Sequence, residues 1–267
     1  MKLLNGSELA GFIKQRHAQQ VRALQANKIY PKLAIVQAKD DPVINTYVRL
    51  KKQYGDDIGV EVDDHILLQA DVPALLKKLN SDESVHGIIV QLPLQDTSAT
   101  DEIVNLVAPE KDVDALGDKS EFEPATPMAI LWLLSGYNID LKGKHVLLIG
   151  RGKLVGAPLE KILNKSSIDV EVIDREIPDL AQHTLDADII ITATGSPALL
   201  YPDMIKQGAV VVDAGVASEE GKTIGDLSPE VFKRDDLTIT PEKGGVGPLT
   251  VCALFENVIR AAANAKN

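Results

Sequence analysis

The 267-residue chain has one cysteine, Cys252, which rules out an intrachain disulfide and any zinc or iron–sulfur site built from several cysteines. That fits a reducing compartment, and a cytoplasmic protein is expected. Cys252 itself lies among apolar neighbours and reads as a small core residue. Positive charge is also scarce. With 39 acidic and 28 basic side chains, the net charge is −11. A general nucleic-acid binder needs clustered Lys and Arg against the phosphates, so neither DNA nor RNA is an expected partner. A small anionic ligand stays open, because a local basic cleft can sit on an acidic protein. No apolar run approaches the roughly 18 residues of a membrane span. Met1-Lys2-Leu3-Leu4-Asn5-Gly6 turns polar too soon for a signal peptide. His17, His65, His86, His145 and His183 are scattered without metal-ligand spacing, so no metal is expected. A GxSxG nucleophile motif, short-period repeats and low-complexity segments are all missing.

What the chain does have is a steady alternation of short β-branched runs with longer stretches of helical period. Lys32–Gln37, Val60–Leu68 and Gly87–Gln91 read as strands. Leu9 to Leu24, Asp40-Asp41-Pro42 to Gly55, and Leu75 to Leu79 read as helices between them. After a looser stretch the alternation resumes, with strands at His145–Ile149, Val170–Ile173, Asp188–Thr192, Ala209–Asp213 and Leu237–Thr240. Val251, Leu254, Phe255, Val258, Ile259 and Ala262 mark a closing amphipathic helix. Such βα alternation implies parallel sheets covered by helices, and the length suits two domains. The expected division is 1–120 and 121–249, with the helix 250–267 packing back on the first domain.

One loop stands out. Lys144–Ile149 runs into Gly150-Arg151-Gly152-Lys153-Leu154-Val155-Gly156, a strand, a Gly-rich turn and a helix start. This is the setting in which a dinucleotide pyrophosphate meets a helix N-terminus. The spacing is GxGxxxG, and it is not a Walker A loop, since no GK[ST] triplet closes it. Asp174 ends the next strand 24 residues after Gly150, close to where an acidic side chain can accept from the ribose hydroxyls of NAD. Arg175 and Arg151 are candidates for a 2′-phosphate instead. Thr194-Gly195 and Gly215-Val216 follow later strands and are candidate walls of a nicotinamide pocket.

In the first half, Tyr47 and Lys51 are four apart and share a helix face. Alone they read as a core-edge tyrosine and a surface charge beside Lys52. Gln91 ends a buried strand and enters Leu92-Pro93-Leu94, and Asp112 and Asp114 stand two apart in a loop. A carboxylate such as Asp114 can take paired N–H donors from a heterocycle, or simply make a turn.

In combination these segments resemble one family. Tyr47-Val48-Arg49-Leu50-Lys51, Gln91-Leu92-Pro93-Leu94, Lys111-Asp112-Val113-Asp114, the Gly150 loop and Gly244-Gly245-Val246-Gly247-Pro248-Leu249-Thr250 are similar to bifunctional methylenetetrahydrofolate dehydrogenase/methenyltetrahydrofolate cyclohydrolases. The resemblance covers nearly the whole chain. It implies an N-terminal three-layer α/β domain, a C-terminal Rossmann-like doubly wound parallel sheet and a cleft between them. It implies oxidation of 5,10-methylenetetrahydrofolate by a nicotinamide cofactor and hydrolysis of the methenyl product to 10-formyltetrahydrofolate. By resemblance Lys51 is the catalytic lysine and Gln91 orients it. Tyr47 stacks on the folate and Asp114 holds the pterin edge. Leu92, Gly244, Gly245 and Pro248 line the substrate site. Gly150, Arg151, Gly152, Gly156, Asp174, Arg175, Thr194, Gly195, Gly215 and Val216 take the cofactor. Family habit favours NADP over NAD, and a homodimer is implied.

The chain also departs from the family pattern. Ala115 replaces the Gly of DVDG, and the connection after it is shorter. Gly152 replaces the phosphate-loop Ser, Ile44 another Ser, and Asp174-Arg175 the usual His-Ser pair. These departures keep two other readings in play, a cyclohydrolase without hydride transfer and a non-catalytic folate or dinucleotide binder. On an acidic protein with anionic ligands, Arg151, Arg175 and Lys51 are expected to face those ligands.

Overall fold

The computed structural model describes residues 1–215, 217–219 and 222–265. The chain runs through β1 (Lys2–Leu3), α1 (Gly6–Ala26), β2 (Lys32–Gln37), α2 (Pro42–Ile58), β3 (Glu61–Ile66), α3 (Val72–Ser81), β4 (Gly87–Gln91) and α4 (Thr100–Val104). It continues through α5 (Ala125–Gly136), β5 (Val146–Ile149), α6 (Gly156–Lys165), β6 (Val170–Ile173), α7 (Leu180–Asp186) and β7 (Ile189–Thr192). β8 (Val210–Asp213), β9 (Ala217–Glu219), β10 (Lys222–Ile224), β11 (Thr238–Ile239) and α8 (Val246–Asn264) complete it.

The chain forms two compact units, residues 11–125 with 251–267, and residues 1–10 with 126–250. By contact, the first ten residues group with residues 126–250. The reason is long-range pairing: β1 lies parallel to β11, Lys2 opposite Thr238 and Leu3 opposite Ile239.

In the unit of residues 11–125 and 251–267, a parallel sheet has the order β3-β2-β4. β2 and β4 are buried along nearly their whole length, because helices cover both faces, and this is why they read as unbroken apolar runs. Ala34, Val36, Leu76, Ile88, Val90 and Val104 share one core cluster. β3 is an edge strand and is charged, with Glu61 and Asp63 both pairing Lys32 on β2. Such charge blunts an edge against further strand pairing. The final part of α8 packs here. Cys252, Phe255 and Val258 are buried, and Asn257 Nδ2 donates to the carbonyls of Val113 and Glu123, each at 2.9 Å. The Tyr54 hydroxyl donates to Cys252 Sγ at 3.3 Å and lies 2.9 Å from His17 Nδ1, so Cys252 is a packed and partnered core residue.

One absence inferred from sequence needs correction. α8 is 19 residues long with mean hydropathy 1.3, enough by length and composition to cross a membrane. Its alanines raise the average without forming a conspicuous apolar run. Within the fold 61% of that stretch is buried, as in a core helix.

The other unit holds a parallel sheet of order β1-β11-β8-β7-β5-β6. From β5 the chain steps outward to β6, then returns to the other side of β5 for β7. That reversal is a topological switch point, where ligands of doubly wound sheets bind beyond the strands' carboxyl ends. β9 and β10 form a separate antiparallel pair.

Candidate active site

α2 begins at Pro42, after Asp41, whose Oδ1 accepts the Ile44 N–H at 3.4 Å. Its register sets Tyr47 and Lys51 one turn apart. β4 ends at Gln91, and Lys51 Nζ donates to Gln91 Oε1 at 2.7 Å. Gln91 is steadied by its own Nε2, which donates to the Leu92 carbonyl at 3.1 Å. The Leu92 side chain packs against the core, so its contribution at this site is that carbonyl. Lys51, Gln91, Asp114 and Tyr47 all keep partial access to solvent. Crowding by protein lowers the Lys51 pKa, and the nearby Asp114 carboxylate pulls it partly back. The same crowding raises the Asp114 pKa, against the pull of the Lys51 charge. Both groups are thus drawn toward neutrality, the state a proton-transfer lysine needs.

Asp114 is held by a small loop that Asp112 closes. Residue 112 makes a parallel bridge to Ile88 on β4. Its buried carboxylate accepts the N–H groups of Gly117 at 2.8 Å and Leu116 at 3.4 Å. Burial, resisted by these N–H donors, pushes the Asp112 pKa up to about 6. The loop turns at Ala115, whose φ is 56°. A Cβ is strained there, and glycine is not. Ala115→Gly is therefore expected to stabilise the fold by about 0.5–1 kcal/mol, seen as a higher urea midpoint at constant m-value. An unchanged or lower midpoint would contradict the strain.

At the end of β5 the three loop glycines have different tasks. Gly150 has φ 101°, and a Cβ on it would lie 2.7 Å from the Ala193 carbonyl oxygen. A Cβ on Gly156 would lie 1.9 Å from the Gly150 carbonyl oxygen. Around Gly152 a Cβ would meet nothing within 4 Å. Two glycines are thus demanded by backbone packing, and the third faces open space where an anion can approach. At the start of α6 the Ala157 N–H donates to the Gly152 carbonyl at 3.1 Å and Pro158 carries no N–H, so the Gly156 N–H and the positive end of the helix are what face such an anion. The residues fit a dinucleotide pyrophosphate.

Around this loop Arg151 folds back onto Glu160 of α6 at 3.2 Å. Asp174 is exposed just past β6. Arg175 Nη1 donates to Ser196 Oγ at 2.8 Å, and its Nε lies 3.7 Å from Glu176. Thr194 and Gly195 follow β7, Gly195 with φ 64°. Gly215 follows β8, and Val216 lies outside the described residues. Gly244, Gly245 and Pro248 belong to this unit, at the start of α8, while Lys51, Gln91 and Asp114 belong to the other. The expected concentration of cations takes a particular form: Arg151, Arg175 and Lys51 each stand beside a carboxylate, Glu160, Glu176 and Asp114.

Family models match both parts of the chain. The catalytic-domain model of tetrahydrofolate dehydrogenase/cyclohydrolase matches residues 4–114, and its NAD(P)-binding-domain model matches residues 124–266. The chain belongs to the tetrahydrofolate dehydrogenase/cyclohydrolase family. The bifunctional protein FolD of Campylobacter jejuni (strain RM1221) is 37% identical over 282 residues, covering 100% of both chains. A crystal structure of the Campylobacter jejuni bifunctional FolD dehydrogenase/cyclohydrolase superposes with a TM-score of 0.92 at 37% identity, covering 99% of each chain. The Trypanosoma brucei FolD, solved with NADP cofactor and inhibitor, superposes with a TM-score of 0.92 at 28% identity, over 99% of this chain and 98% of that one.

In this family member two further carboxylates shape the NAD(P)-binding unit, and sequence reading gave neither a role. Asp213 accepts N–H groups from Gly215, Asp226 and Leu227 at 2.9–3.2 Å. Asp226, fully buried, accepts from Thr194 and Ser196, each at 2.9 Å. Burial, with the Asp226 charge adding, pushes the Asp213 pKa up to about 6. A Cβ on Gly215 would strike Asp226, and one on Gly225 would strike Asp213, both at 2.1 Å. The signal was the mirrored pair Asp213-Ala214-Gly215 and Gly225-Asp226, each glycine making room for the other segment's carboxylate.

Proposed function

We propose that this chain oxidises 5,10-methylenetetrahydrofolate to the methenyl form with NADP and hydrolyses the methenyl form to 10-formyltetrahydrofolate. The observation that carries the reading is Lys51 Nζ held 2.7 Å from Gln91 Oε1, with a lowered pKa and Asp114 as its charged neighbour. The residues 11–125 and 251–267 are assigned the folate, and the unit containing the Gly150 loop is assigned the dinucleotide.

The bound nicotinamide supplies the hydride acceptor for the first reaction. The chain's own residues do the rest. Tyr47, on the Lys51 face of α2, offers a ring for stacking on the folate, and Asp114 offers a carboxylate to the N–H donors of the pterin edge. The methenyl substrate is a cation, so its arrival lowers the Lys51 pKa further and favours the neutral amine. Gln91 takes one N–H of that amine and so fixes the direction of its lone pair. Water adds to the methenyl carbon while Lys51 accepts the water proton. The ring C–N bond to N5 then breaks as N5 takes the proton back from Lys51 and the carbinol hydroxyl releases its proton to solvent, so the carbon stays on N10 as a formyl group.

On the cofactor side, Gly152 and the start of α6 would hold the pyrophosphate. Asp174 would meet the ribose hydroxyls, and Arg151 and Arg175 would meet a 2′-phosphate. NADP is preferred on these two cations and on the NADP complex of the Trypanosoma brucei relative. The test follows methenyl absorbance and nicotinamide reduction with NADP and with NAD. Reduction of NADP in preference to NAD, together with loss of the methenyl band in water, is expected. Turnover of neither folate form would sink the enzyme reading. Hydrolysis without reduction of either dinucleotide would leave the cyclohydrolase alone.

A further inference from the structure

We infer that Ser196 sets cofactor specificity, its hydroxyl holding Arg175 across the end of β5 to receive the 2′-phosphate of NADP. The inference rests on the proposed NADP site and adds to it a residue that acts through another. In the sheet, β5 lies between β6 and β7. Arg175 follows β6 and Ser196 follows β7, so the 2.8 Å bond from Arg175 Nη1 to Ser196 Oγ spans the carboxyl end of β5, where the Gly150 loop begins.

Ser196 is a firm anchor. Its N–H donates to Asp226 Oδ1 at 2.9 Å and to Thr194 Oγ1 at 3.1 Å. Asp226 is fully buried, its other oxygen takes the Thr194 N–H, and its own N–H donates to Asp213. The hydroxyl that holds the guanidinium is therefore tied to the core through the buried Asp226 and the half-buried Asp213. Glu176, the competing partner of Arg175, is 85% exposed and reaches Nε only at 3.7 Å. An exposed pair of that kind contributes little, and a phosphate dianion displaces it readily. A guanidinium carries five N–H donors, so the serine takes one and leaves the phosphate a fork.

Specificity is at stake because neighbouring residues favour opposite cofactors. The Asp174 carboxylate suits the free ribose hydroxyls of NAD and repels a 2′-phosphate. The Arg175 guanidinium attracts one. Arg175 can outweigh Asp174 only while it is held over the ribose, and Ser196 provides that hold. A guanidinium released from Ser196 swings toward solvent and Glu176.

The test measures direct binding of 2′,5′-ADP and of 5′-ADP to the whole protein by calorimetry, beside KM for NADP and NAD. Ser196→Ala is expected to weaken 2′,5′-ADP about tenfold, the size of a lost hydrogen bond to a charged group, while 5′-ADP is unchanged. Ser196→Thr, which keeps a hydroxyl, restores binding. Arg175→Ala weakens 2′,5′-ADP further, and adding Ser196→Ala to it changes nothing more, because the serine acts only through the arginine. Equal weakening of both ligands by Ser196→Ala would show a structural role and overturn the inference. So would a response to Arg175→Ala with none to Ser196→Ala. If Arg175→Ala leaves the ratio of the two affinities unchanged, the NADP reading of the site fails first, and the inference with it.

Discussion

Lys51→Met is expected to lower methenyl hydrolysis by about 10²–10⁴-fold, the range that a positioned acid–base group supplies. The fold should survive, because methionine matches the volume of the lysine stem and such swaps cost under about 1.5 kcal/mol. The change also removes a charge that the protein must keep poorly solvated. Two readouts separate chemistry from collapse: the rate of decay of methenyl absorbance, and the urea midpoint. The pH profile supplies a third. Crowding lowers the Lys51 pKa below its ordinary value of 10.5, and Asp114 limits that fall. The neutral amine is the active form, so wild-type hydrolysis should climb as pH rises through the lowered lysine pKa and level off above it. In Lys51→Met the climb should vanish, leaving only the response of free hydroxide. Asp114 should move as well. It loses the positive neighbour that held its pKa down, so its carboxyl will protonate at still higher pH. Hydrolysis unchanged in rate and pH profile would refute the role given to Lys51.

The parts of this molecule that were legible in its sequence are those whose physics is local or repetitive. β2 and β4 announce themselves because a strand buried on both faces must be apolar throughout. The Gly150 turn does so because a strand, a glycine with φ 101° and a helix start follow one another within a few residues. Pairings across long stretches of chain were not legible. β1 is two residues long, and only its partner near residue 238 makes it a strand. This is why residues 1–10 fall with the second half of the chain. The carboxylates of Asp213 and Asp226 look like ordinary turn residues until the fold sets each against the other's glycine. The Arg175–Ser196 bond needs the order β6-β5-β7, which no local pattern encodes. Lys51 lies between these cases. Its helix face could be read directly, but its partner Gln91 is 40 residues away, and only resemblance to the family joined the two.

Gly156→Ala is expected to cut dehydrogenase kcat/KM by on the order of 10²-fold, the cost of misplacing a binding element by about 1 Å, and to leave methenyl hydrolysis intact. The added methyl would stand 1.9 Å from the Gly150 carbonyl oxygen and 3.0 Å from the Arg151 Cα. Gly150 cannot retreat, because its own Cα side lies against the Ala193 carbonyl. The turn between β5 and α6 must therefore open, and the Gly156 N–H at the start of α6 moves off the pyrophosphate position. A loss of about 1–3 kcal/mol in stability accompanies the overpacking. Gly152→Ala makes the comparison that identifies the cause. Nothing lies within 4 Å of its added Cβ, so the urea midpoint should hold while KM for the dinucleotide rises. The first variant tests packing within the loop, and the second tests the approach of an anion to it. Both leave Lys51, Gln91 and Asp114 untouched in the other unit, and this is why hydrolysis should persist. Parallel loss of both activities in Gly156→Ala, at unchanged stability, would mean that the loop serves the folate reaction directly and that the division of labour proposed for the two units is wrong.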